Sequence, residues 1–378
     1  MHENVCPVNK DILKGMIKIF QFMTVPPPYG GVTVYVKRLV KYLEINGFSV
    51  GCFYKDKIAK DALPKSVRMH RYPRYQNSIW AIVSIPRLLF ILRKYDIIHT
   101  HKSLNISFTL WILRKLLRKP IVFTIHNQMI SRECSCLSSI DRYFFCKLKN
   151  DHLVQFITVN NSAAGILQSE FGNFKNPIIV KPAFVQPIEE GSVSDYLNED
   201  LITFLSKDSA PIILFYAESF AMYEEHEIYG TSTVIAAYKR LKSLHPDLKL
   251  LFCMPNPDHI KIQILKSQLD LEEYKNDIYW QLTPLSEMWP VIKQSTVLFR
   301  PTYTDGDAVM IRESLLYGIP VVTTDVVNRP HGCHVYKYGS LEDAICILDT
   351  IISRPYKVTP TSNNYASDLV SIYSSLLT

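Results

Sequence analysis

Residues 300–330, RPTYTDGDAVMIRESLLYGIPVVTTDVVNRP, decide the fold of this chain. An apolar run, 297–299, leads into a polar turn, and a helical pattern that includes Ile311 and Leu315 ends at Gly318 before a second apolar run. The order strand, polar turn, helix, strand is the repeating unit of a parallel sheet covered by helices. Because the N-terminus of such a helix directs free backbone N–H groups at a ligand, the segment predicts an anion site.

Charged side chains are concentrated in the same segment. Asp305 and Glu313 are separated by seven residues, which places one carboxylate in the turn and the other about two turns into the helix. Arg300, Arg312 and Arg329 lie nearby in sequence, and arginine together with helix N–H groups is suited to a pyrophosphate. Two interpretations stay open, since the carboxylates could cap a solvated helix or could both face one ligand.

The acidic residue, the seven-residue gap and the glutamate, followed by Gly318-Ile-Pro-Val-Val322, resemble the donor-sugar motif of retaining glycosyltransferases of family four. That resemblance implies an α/β chain with two Rossmann-like domains, the GT-B fold, facing each other across a cleft. It implies a nucleotide-diphosphate sugar as donor substrate, with no separate cofactor and no metal. In this family the first acidic residue, here Asp305, lies near the donor sugar, and the second, here Glu313, binds the ribose hydroxyls.

The first domain opens with an apolar strand, 16–23, and a turn, 25–31, that ends in Gly30 and Gly31. The resemblance places a glycine turn here, and it matches Thr124-Ile125-His126 to a histidine that contacts the transferred sugar. His99 and His101 end a neighbouring predicted strand. The predicted catalytic residues are therefore His126, Asp305 and Glu313, and the predicted donor-binding residues are Gly30, Gly31, Arg300, Gly306, Asp307, Ala308, Arg312 and Glu313.

The sequence departs from the family at the start of the second domain. The family has a Gly-Arg pair after the first strand and Lys-Gly at the start of the next helix, and the two cations hold the donor diphosphate. Here the strand is followed by Ala217-Glu218-Ser219, the insert 218–227 is acidic and aromatic, and Tyr229 stands before Gly230. Three functions stay open: a transferase acting on a glycan or lipid-linked acceptor in polysaccharide biosynthesis, a degenerate nucleotide-sugar-binding protein, and a sugar-nucleotide epimerase.

A length of 378 residues with 47% apolar residues suits two domains rather than one core. We predict a Rossmann-like acceptor domain over 1–186 and a linker over 187–210, where no sustained pattern is found. We predict a nucleotide-sugar domain over 211–360 and a terminal helix, 361–378, which in similar proteins crosses back to the first domain.

Charge is divided unevenly along the chain. Residues 1–186 contain 27 Lys or Arg against 10 Asp or Glu, a balance of +17, whereas the remainder has a balance of −10. The apolar and basic segment 107–119, with Trp111 and Arg114, is typical either of a core-facing helix with a basic face or of a helix lying on anionic lipid. Nucleic acid is disfavoured as a partner because no known binding fold or aromatic platform is present.

Location and metal binding are predicted from weaker patterns. The first fifteen residues lack an apolar region of a signal peptide, so we expect a cytoplasmic protein, with attachment to the inner face of the membrane left open. Eight scattered cysteines suit a reducing compartment. Asp305-Gly-Asp307 resembles the metal-binding Asp-x-Asp of other transferases, and Cys134, Cys136 and Cys146 could be drawn as a metal site, but we favour a protein without metal.

Overall fold

The computed structural model describes residues 17–27, 29–55, 63–73, 79–126, 130–206, 209–269, 274, 276–361 and 364–377, with the backbone alone for 79–81. The first fifteen residues, on which the prediction about a signal peptide depends, lie outside this part. The chain divides into two compact units, Met1–Val185 with Tyr365–Thr378, and Gln186–Asn364. Each unit is built around one parallel sheet.

The sheet of the first unit has seven strands in the order β3-β2-β1-β4-β5-β6-β7. They are β1 (Lys18–Thr24), β2 (Ser49–Tyr54), β3 (Arg68–Arg71), β4 (Ile97–Thr100), β5 (Ile121–Ile125), β6 (Val154–Thr158) and β7 (Ile179–Val180). Most of these strands are buried along their length, as expected for a sheet covered on both faces. The strand order reverses between β1 and β4, and ligands of such sheets bind beyond the carboxyl ends of the strands at this position.

The sheet of the second unit has six strands in the order β12-β11-β8-β13-β14-β15. They are β8 (Ile212–Tyr216), β11 (Lys249–Cys253), β12 (Ile278–Gln281), β13 (Val297–Arg300), β14 (Val321–Thr324) and β15 (Cys333–Tyr336), and a separate antiparallel hairpin pairs β9 (Met222–Tyr223) with β10 (His226–Glu227). The reversal of strand order lies between β8 and β13. The chain segment 300–330 therefore starts at the ligand-binding edge of its sheet.

Helices cover both sheets. The first unit contains α1 (Gly31–Ile45), α2 (Ile85–Leu92), α3 (Ser107–Leu117), α4 (Ile130–Ser135), α5 (Ser139–Lys149) and α6 (Asn161–Phe171). The second contains α7 (Glu199–Ser206), α8 (Thr231–Leu244), α9 (His259–Ser267), α10 (Trp289–Gln294), α11 (Val309–Leu316) and α12 (Leu341–Ser353). The terminal helix α13 (Ala366–Leu377) returns to the first unit, where Ala366, Leu369 and Tyr373 are buried in its core.

The predicted linker, 187–210, is partly helical. Helix α7 begins after Asn198, whose side-chain oxygen accepts a hydrogen bond from the backbone N–H of Leu201 at 2.8 Å. Leu201, Phe204 and Leu205 then bury one face of the helix in the second unit's core. Within the predicted linker, residues 199–206 thus form a short amphipathic helix, because an asparagine cap and an i, i+3, i+4 apolar pattern are present.

Candidate functional site

Three histidines gather at the carboxyl edge of the first sheet. His99 is in β4, His101 follows it, and His126 follows β5. Nδ1 of His101 lies 3.0 Å from Nε2 of His126, and Nε2 of His101 lies 2.7 Å from Oε1 of Gln21 in β1. The predicted sugar-contacting residue His126 is therefore the end of a hydrogen-bonded row that starts at the reversal of strand order.

A second row ties this site to the terminal helix. Nδ1 of His99 lies 2.5 Å from the hydroxyl of Tyr373, and Nε2 lies 2.8 Å from the hydroxyl of Thr124. The amide of Gln21 donates to the same Tyr373 hydroxyl at 3.4 Å, so Gln21 joins the two rows. Residues from β1, β4, β5 and the terminal helix thus hold the histidines in place.

The histidines are neutral at physiological pH. Burial lowers the pKa of His126 to about 4, and burial together with the neighbouring imidazoles lowers the pKa of His99 and of His101 well below the usual range. A neutral imidazole has one N–H. With Oε1 of Gln21 as acceptor, His101 donates from Nε2 and its Nδ1 accepts from Nε2 of His126. His126 then presents an unprotonated Nδ1, which can accept a hydrogen bond from a hydroxyl.

Gly30 and Gly31 lie at the start of α1 in the same unit. Gly30 is the N-cap residue with an extended backbone, φ −170°, which other residues adopt as well. A Cβ atom at Gly31 would meet no described atom within 4 Å. The protein's own packing therefore does not require glycine at either position, and contact of these predicted residues with a donor stays a prediction.

The turn before α11 in the second unit is held by a buried charge cluster. Arg300 donates to both carboxylate oxygens of Asp305, from Nε at 2.8 Å and from Nη2 at 3.0 Å. Arg329 donates from Nη1 to the same carboxylate at 2.7 Å and from Nη2 to Thr302 at 3.0 Å. The side chain of Asp305 has 0% exposure. Burial alone would raise the pKa of Asp305, but the two guanidinium groups lower it to about 2.

This geometry assigns Asp305 and Arg300 to holding the turn. The sequence analysis expects Asp305 beside the donor sugar and Arg300 on the phosphate. In the structure the two side chains form an ion pair with each other in the interior of the unit. The interior position follows from Arg329, whose charge compensates Asp305 from 24 residues further along the chain. Direct ligand contact by Asp305 and Arg300 thus stays a prediction that the cluster does not support.

The remaining predicted donor residues line the start of α11. Asp307 accepts from Nε of Arg312 at 2.6 Å, and the backbone N–H of Gly306 lies 3.1 Å from Oδ1 of Asp305. Ala308 is the N-cap residue, and no acidic residue occupies the first turn of α11. Glu313 is 1% exposed, so it does not lie on a solvated helix face. The helix presents its N-terminus at the reversal of strand order, where an anion is favoured.

Helix α8, which follows the first strand of the second unit, begins differently from α11. Gly230 precedes it with φ +66°, and a Cβ there would lie 2.2 Å from the carbonyl oxygen of Pro301, so this glycine is required. Tyr229 packs against the core, and the guanidinium of Arg300 lies 5.7 Å from the centre of its ring. The position where the family has lysine is thus a packed aromatic residue beside an arginine.

The acidic insert is the hairpin β9–β10, and it delivers a carboxylate to α8. Glu227 accepts from the hydroxyl of Thr231 at 2.7 Å, from the backbone N–H of Ser232 at 2.9 Å and from the hydroxyl of Ser232 at 2.7 Å. Glu224 and Glu225 turn the hairpin at positive φ, 47° and 66°. The sequence shows an acidic insert, but only the structure shows that one of its carboxylates caps α8.

The hairpin rests on the turn that precedes α11. The ring of His226 stacks on Tyr303 with centres 4.2 Å apart, and the hydroxyl of Tyr303 donates to Glu224 at 3.2 Å. The backbone N–H of Tyr303 donates to the carbonyl of Ile228 at 2.9 Å. These contacts fix the insert above the same edge of the sheet, so it forms one wall of the candidate donor site.

The carboxylates of the Asp305-Gly-Asp307 sequence are paired with arginines. Asp305 binds Arg300 and Arg329, and Asp307 binds Arg312. In the part of the chain that the structure describes, no three His, Cys, Asp or Glu side chains are placed to hold a metal ion. Both carboxylates of the Asp-x-Asp sequence therefore already have cationic partners, and the absence of a metal stays a prediction.

The basic segment 107–119 is mainly a packed helix. Arg114 is buried and binds Asp151 at 2.9 Å, and Trp111 packs on Phe144 with ring centres 4.7 Å apart. Lys119 donates to the carbonyl of Arg93 at 2.7 Å. Among the described residues no helix is long and apolar enough to cross a membrane.

Two Rossmann-like domains, each with the strand order reversed at its centre, define the class of this protein, which is the GT-B fold. Residues 29–187 match the family described as Glycosyltransferase Family 4. The matched residues make up most of the first unit, and the match agrees with the resemblance that the motif of the second unit carries. No curated protein matches the chain in sequence.

Solved structures share the fold of the whole chain. A glycosyltransferase from Rickettsia africae ESF-5 has a TM-score of 0.68 and 16% identity, covering 96% of this chain and 99% of that chain. Alr3699/HepE of Anabaena in complex with UDP-glucose has a TM-score of 0.64 and 15% identity, over 95% of this chain and 98% of that one. Sucrose-phosphate synthase from Thermosynechococcus elongatus has a TM-score of 0.61 and 15% identity, over 96% of each chain. At these identities the likeness shows the fold alone.

Proposed function

We propose that this protein is a retaining glycosyltransferase that moves a sugar from a nucleotide-diphosphate donor to a glycan or lipid-linked acceptor in polysaccharide biosynthesis, without a metal. The observation that carries the proposal is the N-terminus of α11 at the reversal of strand order, set by the buried Asp305 cluster and free of acidic residues in its first turn. The bound UDP-glucose of a structure with the same fold makes a uridine donor the first to test.

Each group has a role that suits its surroundings. The helix N–H groups at Ala308 and the following residues would hold the diphosphate, where dipole and N–H groups replace a cation. Glu313, in the second turn of α11, would accept from the ribose hydroxyls. In the first unit His126 would accept a sugar hydroxyl at Nδ1. The resemblance to family four implies that the diphosphate leaves from the face on which the acceptor attacks.

Binding of UDP by calorimetry tests the nucleotide site. Glu313→Ala should weaken UDP binding by roughly 10- to 100-fold, since hydrogen bonds to a charged group contribute about 1.5–3 kcal/mol. The matched control is Glu342→Ala, which removes an exposed glutamate of the same unit, 71% exposed in its side chain. Equal affinity of Glu313→Ala and the unaltered protein would reject the role of Glu313.

A binding protein without catalysis is the second candidate, and the capping of α8 by Glu227 favours it, together with Tyr229 in place of lysine. Incubation with UDP-glucose separates the candidates. Transfer or slow hydrolysis of the donor supports a transferase, binding without turnover supports the binding protein, and a changed sugar on the intact donor would indicate an epimerase.

Attachment to an anionic membrane is a further part of the proposal. It rests on the exposed end of α3, since Arg114 and Lys119 are already engaged with protein groups. Lys115 has 56% side-chain exposure although its ammonium lies 3.8 Å from the Asp151 carboxylate, and the apolar Leu116 beside it is 61% exposed. Basic residues close to an anionic surface contribute about 1 kcal/mol each, so this smaller surface gives a weaker, salt-dependent attachment than the whole segment would.

A further inference from the structure

Two lysines of the first unit lie against one tyrosine ring. The Lys102 ammonium lies 4.1 Å from the centre of the Tyr72 ring and donates to the hydroxyl of that residue. The Lys55 ammonium lies 5.8 Å from the centre of the same ring. Lys55 directly follows β2, Tyr72 directly follows β3, and Lys102 comes shortly after β4. Because these strands are parallel, all three residues belong to the carboxyl edge that also carries the histidines.

The arrangement concentrates positive charge where water is partly excluded. Lys102 is only partly exposed, and burial together with the charge of Lys55 lowers the pKa of Lys102 to about 8. Lys55 thus places a second positive charge close to the Lys102 ammonium. An ammonium has three N–H donors, and the hydroxyl of Tyr72 uses one of them.

We propose that Lys55 and Lys102, positioned by Tyr72, bind a phosphate group of the acceptor substrate. A phosphate monoester carries about −1.5 to −2 charges at pH 7 and three strong acceptor oxygens, which suits two monocations better than a single carboxylate does. Lys102 follows His101 directly, and His101 contacts His126. A phosphorylated acceptor held by the lysines would therefore lie along the same edge as the residue proposed to contact the transferred sugar. The inference rests on the proposed function for its acceptor, and the phosphate site itself is testable alone.

The test uses the full chain with UDP present at saturation, so that phosphate does not report on the nucleotide site. Inorganic phosphate and glucose 1-phosphate are titrated by calorimetry as soluble probes, and phosphatidylcholine vesicles with and without phosphatidic acid are the membrane-borne probe. The variants are Lys55→Gln and Lys102→Gln, and the matched control is Lys147→Gln, an exposed lysine of the same unit.

Each lysine variant should weaken phosphate binding roughly 10-fold or more, as expected when one charge-assisted hydrogen bond is lost. The Lys147→Gln control should bind all of the probes as the unaltered protein does. Loss seen with the soluble probes supports a soluble phosphorylated acceptor, and loss seen only with phosphatidic acid supports a lipid-borne phosphate. Binding by Lys55→Gln equal to that of the unaltered protein in all arms would overturn the proposal, and this exposed position keeps the test valid if Lys102→Gln folds poorly.

The failure of this proposal is distinct from that of the proposed function. UDP affinity is measured for every variant, and neither lysine belongs to the nucleotide site. If the lysine variants bind both UDP and phosphate as the unaltered protein does, the lysine site is refuted and the transferase proposal is unaffected. Absence of UDP binding in the unaltered protein would remove the transferase while the phosphate titrations still report on the lysines.

Discussion

Replacement of Asp305 by asparagine tests the charge cluster that shapes the donor turn. Asp305→Asn keeps the size of the side chain and removes the negative charge that lies between Arg300 and Arg329. Both guanidinium groups are almost fully buried, with 7% and 3% side-chain exposure, so water does not replace the lost carboxylate. The variant therefore leaves two cations close together in the interior of the second unit.

The magnitude follows from the protonation equilibrium. The arginines lower the pKa of Asp305 from 3.8 to about 2, and a shift of this size corresponds to about 2.5 kcal/mol between the charged and neutral carboxyl. Since asparagine resembles the neutral carboxyl, the free energy of unfolding should fall by at least about 2.5 kcal/mol, and removal of one partner from a buried ion pair typically costs about 3–5 kcal/mol. The contribution is present above the unfolded pKa and is lost as pH falls from about 4 towards 2.

Urea unfolding of the full chain, followed by tryptophan fluorescence to which Trp280 and Trp289 of the second unit contribute, measures this loss at pH 7. The matched control is Glu342→Gln, which removes a carboxylate from an exposed pair with Arg240 and should leave the unfolding midpoint unchanged. Asp305→Asn should also lose less stability than the unaltered protein between pH 4 and pH 2. An Asp305→Asn midpoint equal to that of the unaltered protein at pH 7 would show that the cluster does not stabilise the turn.

Three further predictions concern the histidines, the start of α8 and the membrane surface. Burial lowers the pKa of His126 to about 4, so as pH falls this histidine is protonated in the unfolded chain before it is protonated in the folded protein. The free energy of unfolding should therefore fall between about pH 6.5 and pH 4, by up to about 3 kcal/mol from this residue. If the urea midpoint of His126→Gln falls as much as that of the unaltered protein over this range, the prediction is wrong. The double variant Tyr229→Lys, Glu227→Ala should turn over UDP-glucose faster than Tyr229→Lys alone, because the Glu227 carboxylate no longer occupies the start of α8. Equal turnover of the two variants in a coupled UDP-release assay would count against a weakened transferase. Lys115→Gln with Arg118→Gln should reduce co-sedimentation with anionic vesicles at low salt and leave neutral vesicles unaffected, whereas unchanged sedimentation would remove this end of α3 from the membrane proposal.

Strands were predictable where apolar runs lie between clear turn residues. The predicted strand 16–23 overlaps β1, 18–24, and the apolar run 297–299 lies within β13, 297–300. The same reasoning missed α7, because its pattern occupies only eight residues in a segment rich in polar residues. It also missed the hairpin β9–β10, whose two-residue strands are too short for an alternating pattern.

For the candidate site, the sequence suggests residues and not their contacts, and the function of those residues stays a prediction. Asp305, Glu313 and His126 follow from spacing and from the ends of strands. Their partners come from distant parts of the chain, since Arg329 binds Asp305 from 24 residues away and Tyr373 binds His99 from 274 residues away. Local sequence therefore identified the carboxylates and imidazoles but could not show which groups already neutralise or orient them.

The Glu227 carboxylate at the start of α8 competes with any anion that would bind this helix N-terminus. Its oxygens already accept from one backbone N–H and two hydroxyl groups there, and the tether of a short hairpin keeps it at a high effective concentration. A phosphate can bind the N-terminus of α8 only while the Glu227 carboxylate is away from it. The apparent dissociation constant of the phosphate is therefore the intrinsic constant divided by the fraction of time for which the carboxylate is away. Protein and ligand would share a single set of donors, and the affinity of α8 for any anion would depend on the stability of the hairpin that carries Glu227.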